Sequence, residues 1–126
     1  MYKITKKFSF DSAHQLHDKM LSNEENEKIF GKCHSLHGHS YFVIITVACH
    51  YLKNGMVENF TDIKKVYTEK IHNKYDHKFL NDLMPFLTTA ENLAEHFYDI
   101  LKVDFPLLES VEVFETPTSS AIFTKS

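Results

Sequence analysis

The stretch Cys33-His34-Ser35-Leu36-His37-Gly38-His39-Ser40-Tyr41 gathers the residues best suited to chemistry in this chain. His37 and His39 are two apart and lead into an apolar run. On a strand, residues i and i+2 point to one face, so both imidazoles can converge on one point. Two convergent imidazoles make two of the three protein ligands of a catalytic zinc site. Cys33, four residues ahead of His37, is a candidate nucleophile or base, with a zinc–thiolate bond as the competing reading. His14 can complete the set. It ends an alternating segment in which Tyr2, Ile4, Phe8, Phe10 and Ser12 share its parity and Lys6 is the break. A strand over 2–14 would bring it to the face of Phe8 and Phe10. A half-buried histidine with a local partner is the plain alternative there. Three histidines on two adjacent strands leave a fourth position open, which is the catalytic rather than the structural zinc pattern.

Two further features carry chemistry. In Asp76-His77 the carboxylate can fix the tautomer of the imidazole and raise its basicity; the pair can equally be a helix-end cap. Glu115 shares parity with Val111 and Val113, so a strand would turn it toward a partly buried face, where a carboxylate needs a partner. The guanidine-like edge of a pterin or guanine offers two parallel N–H donors that a carboxylate accepts together. The bland alternative is an exposed Glu at a strand end.

The bulk of the chain narrows the classes. Its 126 residues, with 11 Phe and 6 Tyr, suffice for one domain, 1–126, with a sizeable core. A formal charge of -3 gives no electrostatic footprint for nucleic acid or a membrane. No apolar run approaches the ~20 residues that cross a bilayer. Met1 to Lys7 lack the apolar core of a signal peptide, so a cytoplasmic protein with free Cys33 and Cys49 is expected. Nine histidines stand out, roughly three times average usage of about 2%.

The elements that must position these residues follow from periodicity. Strand one covers 2–14. Residues 17–32 are polar and read as a long surface loop, with one helical turn at most. Strand two covers 37–51, apolar on both faces, so that both faces should be covered. Asn54-Gly55 is a hairpin turn, returning as a short strand from Met56 to Phe60. A helix capped by Asn59 or Thr61 carries the stripe Ile63, Val66, Tyr67, Lys70, Ile71 and ends near Tyr75. A second helix starts on the capping-box pattern Thr88-x-x-Glu91 and buries Leu93, Phe97, Ile100 and Leu101. Two strands flanking a turn at 116–119 close the chain. The order ββααββ predicts an α+β fold, with four antiparallel strands, two helices on one face, and a second subunit over the other.

Over nearly its whole length the chain resembles the 6-pyruvoyl-tetrahydropterin synthase / 6-carboxytetrahydropterin synthase family. The matching stretches are Phe8 to His14, Phe30-Gly31-Lys32-Cys33, His37 to Tyr41, Gly55 to Asp62, Asp76-His77, Thr89 to Asn92, and Val113 to Thr116. The resemblance implies a T-fold (tunnelling fold), with His14, His37 and His39 binding Zn2+. It implies Cys33 as general base with Asp76 and His77 as relay, and Glu115 holding the pterin with help from Thr89 and Glu91. It also implies a homohexamer, a dimer of trimers with active sites at subunit interfaces, in which Asp76-His77 can serve a neighbour's Cys33. The substrate would be 7,8-dihydroneopterin triphosphate. One branch yields 6-carboxy-5,6,7,8-tetrahydropterin with acetaldehyde and triphosphate, toward queuosine. The other eliminates triphosphate to give 6-pyruvoyl-tetrahydropterin. Cys33-x3-His37 and Asp76 to Asp82 resemble the carboxy branch; the acidic stretch from Leu21 to Asn26 resembles the pyruvoyl branch. A third branch has glutamate for the cysteine, and Cys33 argues against it. A metal-free pterin- or purine-binding module would keep Glu115 but have no use for three histidines.

Overall fold

The computed structural model describes residues 1–126. Two 13-residue strands dominate it, β1 (Tyr2–His14) and β2 (His37–Cys49). They pair antiparallel in unbroken register, which sets Phe10 opposite Tyr41, Ser12 opposite His39 and His14 opposite His37. β4 (Leu108–Thr116) pairs with β2, and β5 (Ser119–Thr124) with β4. The sheet has five strands, not four. The extra one, β3 (Lys78–Phe79), runs parallel to β1 at Ser12 and Ala13, giving the order β3-β1-β2-β4-β5. Two residues are too few to show a period of two.

The helices cover one face of this sheet. Asn59 caps α2 (Phe60–Tyr67), its side chain accepting from the Thr61 N–H. The helix continues through a π turn, Thr68–His72, into α3 (Asn73–Tyr75). A short α4 (Leu80–Leu83) precedes α5 (Ala90–Lys102). Ile63, Tyr67 and Ile71 from the first helical run and Leu93, Ala94, Phe97 and Leu101 from α5 are buried. They pack over Phe10, Tyr41, Val43, Ile45, Val47, Val111 and Val113 of the sheet. Each such aliphatic or Phe side chain contributes about 1.5–3 kcal/mol through burial. The opposite face presents Phe42, Ile44 and Phe114 half-buried, with Ile122 exposed. The Lys7 amino group lies 4.8 Å from the Phe42 ring and 5.4 Å from that of Phe114.

Three further expectations need correction. The polar stretch 17–32 holds a full helix, α1 (Asn23–Phe30), closed by a reciprocal capping box between Ser22 and Glu25. Met56 to Phe60 is not a strand. Asn54 and Gly55 turn with positive φ, Lys53 and Met56 form one isolated bridge, and the chain then runs into the Asn59 cap. The cap of α5 is Thr89, which accepts from the Asn92 N–H, and not Thr88. Thr88 is fully buried and engaged elsewhere. No helix is long and apolar enough to cross a membrane.

Candidate active site

The register of β1 and β2 builds the centre of the site. His14 and His37 are directly opposed, and His39 follows on the same face of β2. Ring centroids are 4.5 Å apart for His14–His37, 5.1 Å for His14–His39 and 4.8 Å for His37–His39. One ligand atom from each lies within 4.8 Å of the others. Cys33 is not part of this convergent set, so the three imidazoles, without the thiol, are the group that can hold a metal.

Hydrogen bonds to the far side of the rings prepare them for that task. His14 Nδ1 lies 2.9 Å from the Thr88 carbonyl, to which it donates, and 3.1 Å from the Thr88 hydroxyl. His37 Nδ1 donates to the Ser35 carbonyl at 2.7 Å. A donor at Nδ1 fixes the tautomer that leaves Nε2 with a free lone pair. Nε2 of His14 and of His39 are both buried with no hydrogen-bond partner. Buried polar atoms are rarely left so, and a cation between the rings would satisfy them. Burial holds the His39 ring below its ordinary pKa, with Glu115 opposing and His37 assisting. Burial pulls His14 down to about 4, against the Thr88 bond and with help from His37 and His39. Neutral imidazole is the form that binds metal, and an all-imidazole set suits zinc and its first-row neighbours.

The depressed His14 has a thermodynamic consequence. The unfolded chain takes up a proton there below about pH 6.5, the folded metal-free protein only near 4. Its contribution is therefore fully present above pH 6.5 and is lost as pH falls through the window. Urea unfolding of metal-free protein should show a loss on the order of 3 kcal/mol from this group between the two values. A His14→Asn variant, with no ring to titrate, should lack that part of the decline.

Asp76 and His77 do meet. His77 Nδ1 donates to Asp76 Oδ2 at 2.7 Å, while Asp76 Oδ1 accepts from the Asp11 N–H at 2.9 Å. Those two bonds, the Asp11 one foremost, hold the Asp76 carboxyl below the usual carboxylate range. His77 is in the left-handed region, φ +57, with its N–H bonded to the Asp11 carbonyl at 2.6 Å. Ser12 Oγ donates to the Tyr75 carbonyl and ties the same corner to β1. His77 is the exposed member, at an open groove of about 580 Å3 also lined by Asp11, Gly38, His39 and Ser40. Neither residue bonds to Cys33 of the same chain. Cys33 sits half-buried in a 3-10 turn, Gly31–His34, its carbonyl accepting from the Leu16 N–H at 2.8 Å.

Glu115 lies one step beyond the Phe42–Phe114 pair, level with Tyr41. Its charge reaches the cluster: it raises His39 and, after burial, helps push the Tyr41 hydroxyl up. Thr89 and Glu91 are the cap and first turn of α5, and Glu91 is exposed. Sequence reasoning missed Thr88, whose position next to a second threonine gave two possible caps. It also missed His72, 3.5 Å from Asp76 across one helical turn, although the i, i+4 spacing was there to read.

The family model described as 6-pyruvoyl tetrahydropterin synthase matches residues 3–126. The chain belongs to this family. It is 37% identical to the 6-pyruvoyl tetrahydrobiopterin synthase of Homo sapiens, over 96% of this chain and 90% of that one. It is 38% identical to the 6-carboxy-5,6,7,8-tetrahydropterin synthase of Synechocystis sp., over 96% of this chain and 92% of the relative. The solved 6-pyruvoyl tetrahydropterin synthase of Caenorhabditis elegans superposes with a TM-score of 0.90 at 29% identity, covering 99% of this chain and 96% of that one. The T-fold expected from the sequence is thereby shown. This member of the 6-pyruvoyl tetrahydropterin synthase family has three convergent imidazoles that could hold a metal ion.

Proposed function

We propose that this protein is a zinc-dependent synthase, acting in the cytoplasm on 7,8-dihydroneopterin triphosphate. With water it forms 6-carboxy-5,6,7,8-tetrahydropterin, acetaldehyde and triphosphate, a step toward queuosine. The carrying observation is the convergence of His14, His37 and His39 with Cys33 only four residues ahead of His37. That spacing, and Asp76 to Asp82, resemble the carboxy-forming branch. Zinc, when bound, supplies the Lewis acidity that polarises a substrate oxygen and acidifies its neighbouring C–H.

The chain's own groups do the rest. Cys33 takes the proton as general base. Asp76 keeps the proton of His77 on Nδ1, so His77 Nε2 is free to pass protons onward. As the family resemblance implies, the pair serves the Cys33 of a neighbouring subunit, a reading supported by its making no bond to its own Cys33. The apolar face of Phe42, Ile44, Phe114 and Ile122 supports such an assembly, a homohexamer of two trimers with sites at the interfaces. Glu115 accepts the two N–H donors of the pterin edge, with help from Thr89 and Glu91 at the start of α5.

One observation favours a second reading, 6-pyruvoyl-tetrahydropterin synthesis by triphosphate elimination. The acidic stretch that resembles that branch is an ordered, capped helix immediately ahead of the Cys33 turn. Incubating zinc-loaded protein with dihydroneopterin triphosphate separates the two. Acetaldehyde and the carboxy product in equal amounts are expected. Pyruvoyl product without acetaldehyde would transfer the protein to the second branch. Neither product, with zinc bound, would sink both.

A further inference from the structure

The four residues that follow the first histidine of the cluster are each tied down. The Gln15 N–H donates to Asn81 Oδ1 at 3.0 Å, and its carbonyl accepts from Asn81 Nδ2 at 2.7 Å. The Leu16 N–H donates to the Cys33 carbonyl at 2.8 Å. His17 Nδ1 lies 3.0 Å from His34 Nε2, the rings nearly parallel at 20°. The Asp18 N–H donates to Oδ1 of the buried Asn26 at 2.7 Å. Two of these four ties end on the turn that carries Cys33.

That turn is exposed along much of its length, and the His37 Nδ1 bond to the Ser35 carbonyl joins its far end to β2. Gly31 at its start has φ +57, and Gly31, Lys32, Ser35 and Leu36 are all exposed. Its ends are closed by the Gly31 N–H to the Glu27 carbonyl and by the Ser35 N–H to the Lys32 carbonyl at 3.1 Å. A four-residue 3-10 turn with exposed flanks is a weakly determined element. The His17–His34 contact is the one side-chain hydrogen bond from residues 15–18 to it. One ring must donate and the other accept.

We propose that His17 and His34 are positioning residues for Cys33. Their hydrogen bond, beside the Leu16–Cys33 backbone bond, sets the thiol's place relative to the three-histidine cluster. The inference rests on the reading of Cys33 as the base, and misplacing a reacting group by about 1 Å can lower turnover about 100-fold.

Replacing either partner with an apolar residue tests this. His34→Leu and His17→Leu should each lower kcat by about tenfold to about a hundredfold, with KM and bound metal little changed. Alkylation of Cys33 by iodoacetamide, mapped by mass spectrometry with Cys49 of the same molecule as reference, should quicken severalfold. The double variant His17→Asn/His34→Gln puts amide groups where Nδ1 and Nε2 were and restores a donor–acceptor pair. It should recover kcat and the slow alkylation. The two single variants lie on different segments, so a folding defect peculiar to one leaves the other as the test. Wild-type alkylation and kcat in both leucine variants would overturn the proposal, as would failure of the amide pair to recover either readout. Failure of the base reading looks different: Cys33→Ala would keep turnover, while the alkylation rates would still report the turn.

Discussion

Cys33→Ala is expected to retain its metal and to lose about 10²–10⁴-fold in kcat, the usual worth of a positioned general base. Metal retention follows from geometry. The three imidazoles converge without the thiol, and their outer hydrogen bonds run to Thr88 and Ser35. Loss of turnover follows from placement, since Cys33 is the one thiol on the segment leading into His37 and His39. Zinc analysis and single-turnover kinetics on one preparation check both halves. Loss of stoichiometric zinc would return the thiol to the ligand set. If the proposed assembly pairs Cys33 of one subunit with Asp76-His77 of the next, mixing denatured Cys33→Ala with denatured Asp76→Asn and refolding them together should restore part of the turnover.

His37→Ala should have the opposite signature, with metal and turnover lost together. His37 ends the strand register opposite His14 and is only half-buried, so its removal leaves the core untouched. Loss of an outer-shell partner costs about 10–100-fold in metal affinity; loss of one of three ligands should exceed that. Chelation followed by one equivalent of zinc should restore the wild-type protein and leave His37→Ala inactive. Full activity in chelated wild type would remove metal from the reaction altogether.

Much of this arrangement was legible in the residues. Two long alternating strands fix their own faces, and those faces carry His14, His37 and His39 to one end of the same side. The stripes of α2 and α5 were legible for the same reason, period 3.6 being strong where Ile63, Tyr67 and Ile71 or Leu93, Phe97 and Leu101 are all buried. Elements without an apolar stripe were not. α1 buries only Asn26, a polar side chain that organises Asp18, Leu21 and Ser22 around itself, so its helix shows in the Ser22–Glu25 caps alone. β3 is too short for any pattern, and the π turn at Thr68–His72 leaves no mark in composition. The Asp76–His77 contact was suggested by adjacency, but its orientation comes from Asp11, sixty-five residues away in sequence.

His77 holds its ring against Asp76 from a left-handed backbone, φ +57. For a residue with a Cβ that conformation costs roughly 1–2 kcal/mol, and glycine escapes the penalty. If His77 is the proposed relay, position 77 is a point where durability and turnover pull apart. A library sorted only for survival on heating would drift from histidine toward glycine or asparagine there. A library sorted for product would keep the ring and tolerate the strain. The chain as it stands has the second kind of residue.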